Sequence, residues 1–141
     1  MHTKNFLLSA FVTAVILFIL NAVVFLIFLG NFFQTHPAVS PEFMKQLYRP
    51  NDELIWWAVV LSAIAIGFLV TTVTKWSGAR TFISGLRTGI IFGFLLLCAV
   101  DFGLLGSTNN FTTAGALADL LCSTTTITIS SGVAAFMLGR K

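Results

Sequence analysis

The sequence predicts an all-α integral membrane protein: a bundle of four transmembrane helices with both termini on the cytoplasmic side (N-in/C-in). Three observations predict it. The 141-residue chain is 57% hydrophobic and only 9% charged, where a soluble domain carries roughly 25% charged residues. Its apolar residues gather into four stretches, each long enough for the about 20 residues that cross a bilayer. Its basic residues collect on one side of those stretches, the asymmetry that sets orientation. The length leaves room for one membrane domain, residues 1–141, and no second. The net charge of +3 then reflects topology, and nucleic acid is not an expected partner. The lipid bilayer is.

The first span covers about residues 5–33. Its apolar run is too long for the core of a signal peptide and ends in "GNFFQ", so it reads as an uncleaved helix. The second span is about 54–74, the third 81–105 and the fourth 111–138. The fourth contains "LADLLCSTTTITISSG", whose Thr and Ile taken alone favour a strand. An isolated strand cannot cross lipid, because its backbone groups would stay unpaired, and four such segments cannot close a barrel. A helix is the remaining solution, with Ser and Thr bonding back to carbonyls one turn earlier.

Lys4, Lys75, Arg80, Arg140 and Lys141 fall on one side of these spans, and Lys45 and Arg49 on the other. Five against two places both termini in the cytoplasm. Trp56 and Trp57 are then anchors at the outer interface and Trp76 at the inner one. Arg87, inside the third span, reads as an interface anchor whose stem snorkels to the phosphates. The outer loop 34–53 holds all three prolines. Within it "SPEFMKQLYRP" predicts a short amphipathic helix capped by Ser40, with Pro41 at its first position and Pro50 beyond its end. Phe43, Met44, Leu47 and Tyr48 would form its apolar face. The helix is expected to serve as a lid over the bundle end, or else as a docking site.

Candidate functional residues lie in the last two spans. "GLRTGIIFG" spaces Gly85, Gly89 and Gly93 four apart, and Gly103 returns to the face of Gly85 after five turns. Small residues at this spacing predict close helix packing. In the fourth span Thr112, Gly115, Asp119, Cys122, Ser123, Thr126 and Ser130 fall on one stripe. Hydrogen bonding between helices explains the hydroxyls. It does not explain Asp119, or Asp101 in the third span. A carboxylate in lipid costs several kcal/mol unless paired, hydrated or protonated. Asp101 is expected about one turn from the surface and Asp119 about two. Facing each other, they would form an ion or proton site with Ser123, Thr126 and Ser130. The alternative is separate satisfaction, Asp119 by Ser123 or Asn21, with Asn21 otherwise a bond between helices. His2 and His36 have no partner spacing for a metal or a base. Cys98 and Cys122 form no C-x-x-C pair and read as packing residues. No metal and no cofactor is expected.

The segment "GLRTGIIFGFLLLCAVDFGLLGSTNNFTTAGALADLL" resembles small bacterial inner-membrane proteins of unknown function with four predicted spans. In those a glycine-spaced third helix leads to an acidic position, a short outer turn and an acid early in the fourth helix. Gly85, Gly89, Gly93, Asp101 and Asp119 are the matching positions. The resemblance implies the four-span fold and no known activity. Other four-span families fit less well. The first span lacks the Glu of small multidrug transporters, the cysteines lack the pairing of quinone-linked disulfide enzymes, and the Glu/Arg signature of membrane glutathione transferases is missing. "CSTTTITISS" only loosely echoes the Phe/Ser/Thr box of fluoride channels.

No nucleophile–base pair is visible. Whether the chain is an enzyme is left open, with a non-enzymatic role favoured. The leading expectation is a small structural, accessory or partner-binding subunit, in a homo-oligomer or with other membrane subunits. The alternative is a small proton- or cation-coupled transporter or channel using Asp101 and Asp119.

Overall fold

The computed structural model describes residues 3–140. Lys141, counted above among the cytoplasmic basic residues, and His2, read above as having no metal or base partner, lie outside them. The chain forms α1 (Thr3–Val24), a π-helical turn (Phe25–Leu29), α2 (Gly30–Thr35), α3 (Pro41–Leu47), a 3-10 turn (Asn51–Glu53), α4 (Trp56–Trp76), α5 (Phe82–Ser107) and α6 (Thr113–Gly139). No strand occurs among the described residues. The Thr-rich segment that looked strand-like is helical throughout. Its hydroxyls close onto the preceding turn: Thr125 donates to the Leu121 carbonyl at 2.8 Å and Thr128 to that of Thr124 at 2.7 Å.

Four stretches are long and apolar enough to cross a membrane: Lys4–Thr35, Trp56–Trp76, Phe82–Ser107 and Thr113–Gly139. The first is one rod in which α1, the π turn and α2 follow without a break. Its 32 residues extend about 48 Å at 1.5 Å per residue. A hydrocarbon core is about 30 Å thick, so the rod is longer than an upright crossing needs, and α2 forms its far end. There α2 meets α3 and the turn between α5 and α6. We call this the lid end. The opposite, terminal end gathers Lys4, Lys75, Arg80 and Arg140. Lys75 Nζ lies 4.9 Å from the centre of the Phe6 ring, and Arg80 Nη1 donates to the Leu138 carbonyl at 3.4 Å.

Local chemistry sets the breaks. Ser40 accepts from Phe43 N–H at the start of α3, with Pro41 at the first position. Thr81 and Ser84 form a reciprocal capping box on α5, and Thr112 accepts from Gly115 N–H on α6. Gly78, at φ +75° in the turn after α4, adopts a left-handed conformation that costs other residues more.

α6 is the hub. It lies along α5 and also packs against α1 and α4, and α1 packs against α4. It buries eleven residues, against four each in α4 and α5. The seam with α5 runs through glycine. A Cβ on Gly85 would meet the Ser131 carbonyl oxygen and Ala135, and one on Gly89 would lie 2.7 Å from Thr128 Cα. On Gly93 it would lie 3.1 Å from Ile127 Cγ2. Gly103, on the face of Gly85, does not share its packing: nothing lies within 4 Å of its Cβ position. The reason is helical drift. The seam follows an i, i+4 row, which advances 40° around the cylinder at each step. Four steps carry it from Gly85 to Asp101, which is buried. Gly103, two residues on, points about 200° away.

The centre of the bundle is layered. Leu17, Val70 and Ile127 pack together, flanked by Ile66, Phe92, Leu96 and Leu97. Toward the terminal end the core turns hydroxylic, with Ser9, Thr13, Thr71, Thr74, Ser130 and Ser131 all buried. Thr74 donates to the Val70 carbonyl at 2.7 Å and accepts from Ser131 at 2.8 Å. Ser9 donates to the Ala134 carbonyl at 3.3 Å. The hydroxyl oxygens of Thr13, Thr71 and Ser130 are buried with no partner.

Candidate functional site: an acidic crevice toward the lid end

From the Leu17 and Ile127 layer toward the lid end, the bundle opens into a crevice of about 340 Å³. α6 supplies Asp119, Ser123, Thr126 and Ile127, and α1 supplies Leu17, Asn21 and Val24. The π turn adds Phe25 and Leu29, α4 adds Ile66, and α5 adds Leu96 and Leu97. The polar members all lie on α1 and α6. Asn21 and Phe25 remain exposed, so the crevice opens beside α1.

Spacing on α6 builds the polar wall. Asp119, Ser123 and Thr126 are four and three residues apart, which stacks them on one face. Ser123 Oγ donates to Asp119 Oδ1 at 2.7 Å. Thr126 Oγ1 lies 2.9 Å from Asn21 Oδ1 and 3.0 Å from the Ser123 carbonyl oxygen. Asp119 is thus tied to its own helix by one short bond, and Asn21 joins α1 to α6. Among the described residues no Lys, Arg or His lines the crevice, so the carboxylate has no cationic neighbour there.

The sequence-derived site separates in space. Asp119, Ser123 and Thr126 line the crevice together with Asn21. Asp101 and Ser130 do not. Ser130 sits beyond Ile127, in the hydroxyl layer. Asp101 is 2% exposed, on the seam between α5 and α6, and its Oδ2 has no partner. Both acids lie six residues from the turn between their helices, about 9 Å along each axis. They therefore share one depth, and Asp119 is not a turn deeper. Cys122 and Cys98 are half-buried free thiols.

The π turn and its walls are what sequence reasoning missed. Gly30 N–H bonds to the Phe25 carbonyl, five residues back rather than four, and this widens the rod where Phe25 and Leu29 enter the crevice. Such turns are frequent at functional sites. The run "FLIFL" carries no sequence signal for one.

A second cavity, of about 600 Å³, lies under α3. Met44 of α3 and Tyr48 just after it line it, with Phe33 of α2 and Phe111 and Thr112 just before α6. Of the expected apolar face of α3 only Met44 is half-buried; Phe43, Leu47 and Tyr48 are exposed. Phe25 lines both cavities and stands between them. Trp56 and Trp57 at the start of α4, and Trp76 at its end, are all exposed. Arg87 is exposed in the second turn of α5.

Compared with family models, with curated proteins and with solved structures, the chain matches none.

Proposed function

We propose that the protein is a small membrane transporter or channel in which Asp119 is the proton- or cation-binding group. One observation carries this reading: Asp119 lines an open crevice within the membrane-spanning bundle, and no basic side chain there neutralises it. A carboxylate held at that depth is costly. A purely structural acid is best kept by a fixed partner, and Asp119 has only the Ser123 hydroxyl. Two nearby features fit a route for charge. Asp101 is a second, buried acid, as far from the α5–α6 turn as Asp119. Beyond the Leu17, Val70 and Ile127 layer, hydroxyls of α1, α4 and α6 lead toward the terminal end.

Orientation belongs to the same proposal. The basic terminal end faces the cytoplasm, and the crevice and α3 face outward, in a bacterial inner membrane. An impermeant label should reach neither terminus in intact cells. A labelled terminus would refute this topology.

An accessory subunit, alone in a homo-oligomer or with other membrane chains, is the competing reading. No particular contact favours it. The exposed Leu, Ile and Phe along α1, α4 and α5 are what lipid requires of a membrane helix. Purified protein in sealed vesicles should dissipate an imposed proton or cation gradient faster than empty vesicles do. A chain that is silent in vesicles, and leaves its membrane with a stoichiometric partner, would instead be an accessory subunit.

A further inference from the structure

The lining of the crevice selects among cations. Its side-chain oxygens are few, those of Asp119, Ser123, Thr126 and Asn21, and they pair partly with one another. Asp119 Oδ1 accepts from Ser123 at 2.7 Å, and Asn21 Oδ1 lies 2.9 Å from Thr126 Oγ1. A small hard cation needs a full shell of oxygens to replace its water, and these side chains do not supply one. The rest of the wall is hydrocarbon: Leu17, Val24, Leu29, Ile66, Leu96 and Leu97. Phe25 adds an aromatic ring at the mouth. Hydrocarbon walls, one carboxylate and an aromatic ring match a different kind of cation, one whose charge is spread over alkyl groups. Such an ion loses little on leaving water, and its alkyl surface gains from burial. Quaternary ammonium groups are attracted to aromatic faces as well as to carboxylates. The volume, about 340 Å³, lies at the lower end of the range for small-molecule sites. Exposure of Asn21 and Phe25 opens the crevice beside α1 at hydrocarbon depth, where lipophilic cations partition.

From this geometry we infer that the crevice binds a monovalent lipophilic organic cation, with Asp119 as counter-ion and Phe25 and the aliphatic wall around its alkyl groups. The inference rests on the reading of Asp119 as the binding group and names the class of ligand it takes.

The test uses the full-length protein in detergent and benzyltrimethylammonium as the probe, followed by titration calorimetry. Saturable binding is expected. Asp119→Asn should weaken it by about tenfold or more, and Asp119→Glu, which restores the charge, should recover most of it. Phe25→Ala should weaken it less. Sodium chloride in place of the probe should give no saturable heat. Equal binding by wild type and a folded Asp119→Asn variant would overturn the assignment. No binding by wild-type protein that still moves protons in vesicles would overturn the organic-cation inference and leave the transporter reading standing. Binding that depends on Asp119, without gradient dissipation in vesicles, would uphold the site and overturn the transporter reading.

Discussion

At the residue scale, buried hydroxyls of one chemical type carry opposite expectations. Thr126 bridges to Asn21 across two helices. Thr71 is fully buried and its hydroxyl bonds to nothing. Hydrogen bonds between membrane helices average about 0.6 kcal/mol, so Thr126→Val should cost about that much. An unsatisfied buried hydroxyl costs about 1–3 kcal/mol. Thr71→Val replaces it with a methyl of similar shape and should leave stability unchanged or raise it. Unfolding of the two variants in detergent checks both signs. A clear loss at Thr71 would mean that its hydroxyl bonds to a bound water. The sequence marked the stripe containing Asp119, Ser123 and Thr126, because spacing along one helix is visible in a linear chain. It did not mark which hydroxyls would stay unpaired. That depends on how α1, α4 and α6 meet across distances of more than fifty residues in the chain.

At the element scale, the glycines of α5 show how a helical row becomes an interface. Gly85, Gly89 and Gly93 let α6 approach so closely that a Cβ on Gly89 would sit 2.7 Å from Thr128 Cα. That neighbour is backbone and cannot swing aside. Gly89→Ala should destabilise the fold by about 1–3 kcal/mol, the usual cost of overpacking. Gly103→Ala meets open space and should be neutral or stabilising. Thermal unfolding of the pair separates a seam from a shared face; equal losses would put Gly103 at a contact outside this chain. The four-residue spacing was legible in the sequence. The spacing alone does not say how the neighbouring helix follows the 40° drift per step, which is what leaves Gly103 off the seam. The π turn had no signal at all. One extra residue in a helical turn leaves apolar composition unchanged, and "FLIFL" reads as any other stretch of membrane helix.

At the scale of the whole molecule, the four spans and the capped helix over Pro41–Leu47 were legible because hydropathy, prolines and caps are local. The crevice was not, because its walls come from α1, the π turn, α4, α5 and α6 at once. Its existence follows from unequal packing. α6 touches every other long helix, whereas α4 and α5 meet little beyond their connecting turn, where Thr88 donates to Ser77 at 3.0 Å. The scant contact between α4 and α5 leaves room in the bundle, and here that room contains a carboxylate with no Lys, Arg or His among the described residues that line it. Above the crevice, α2 and α3 enclose the larger cavity, and Phe25 stands between the two. Below it, the Leu17, Val70 and Ile127 layer separates it from the buried hydroxyls. The two cavities and the buried hydroxyls follow one another along the bundle, the order that the proposed charge movement uses. Flux in sealed vesicles under an imposed potential, compared between wild type, Asp119→Asn and Asp101→Asn at equal amounts of folded protein, tests it most directly. Wild-type flux that is abolished by Asp119→Asn and only reduced by Asp101→Asn is the predicted result. Flux that survives in Asp119→Asn at the wild-type rate would contradict the account.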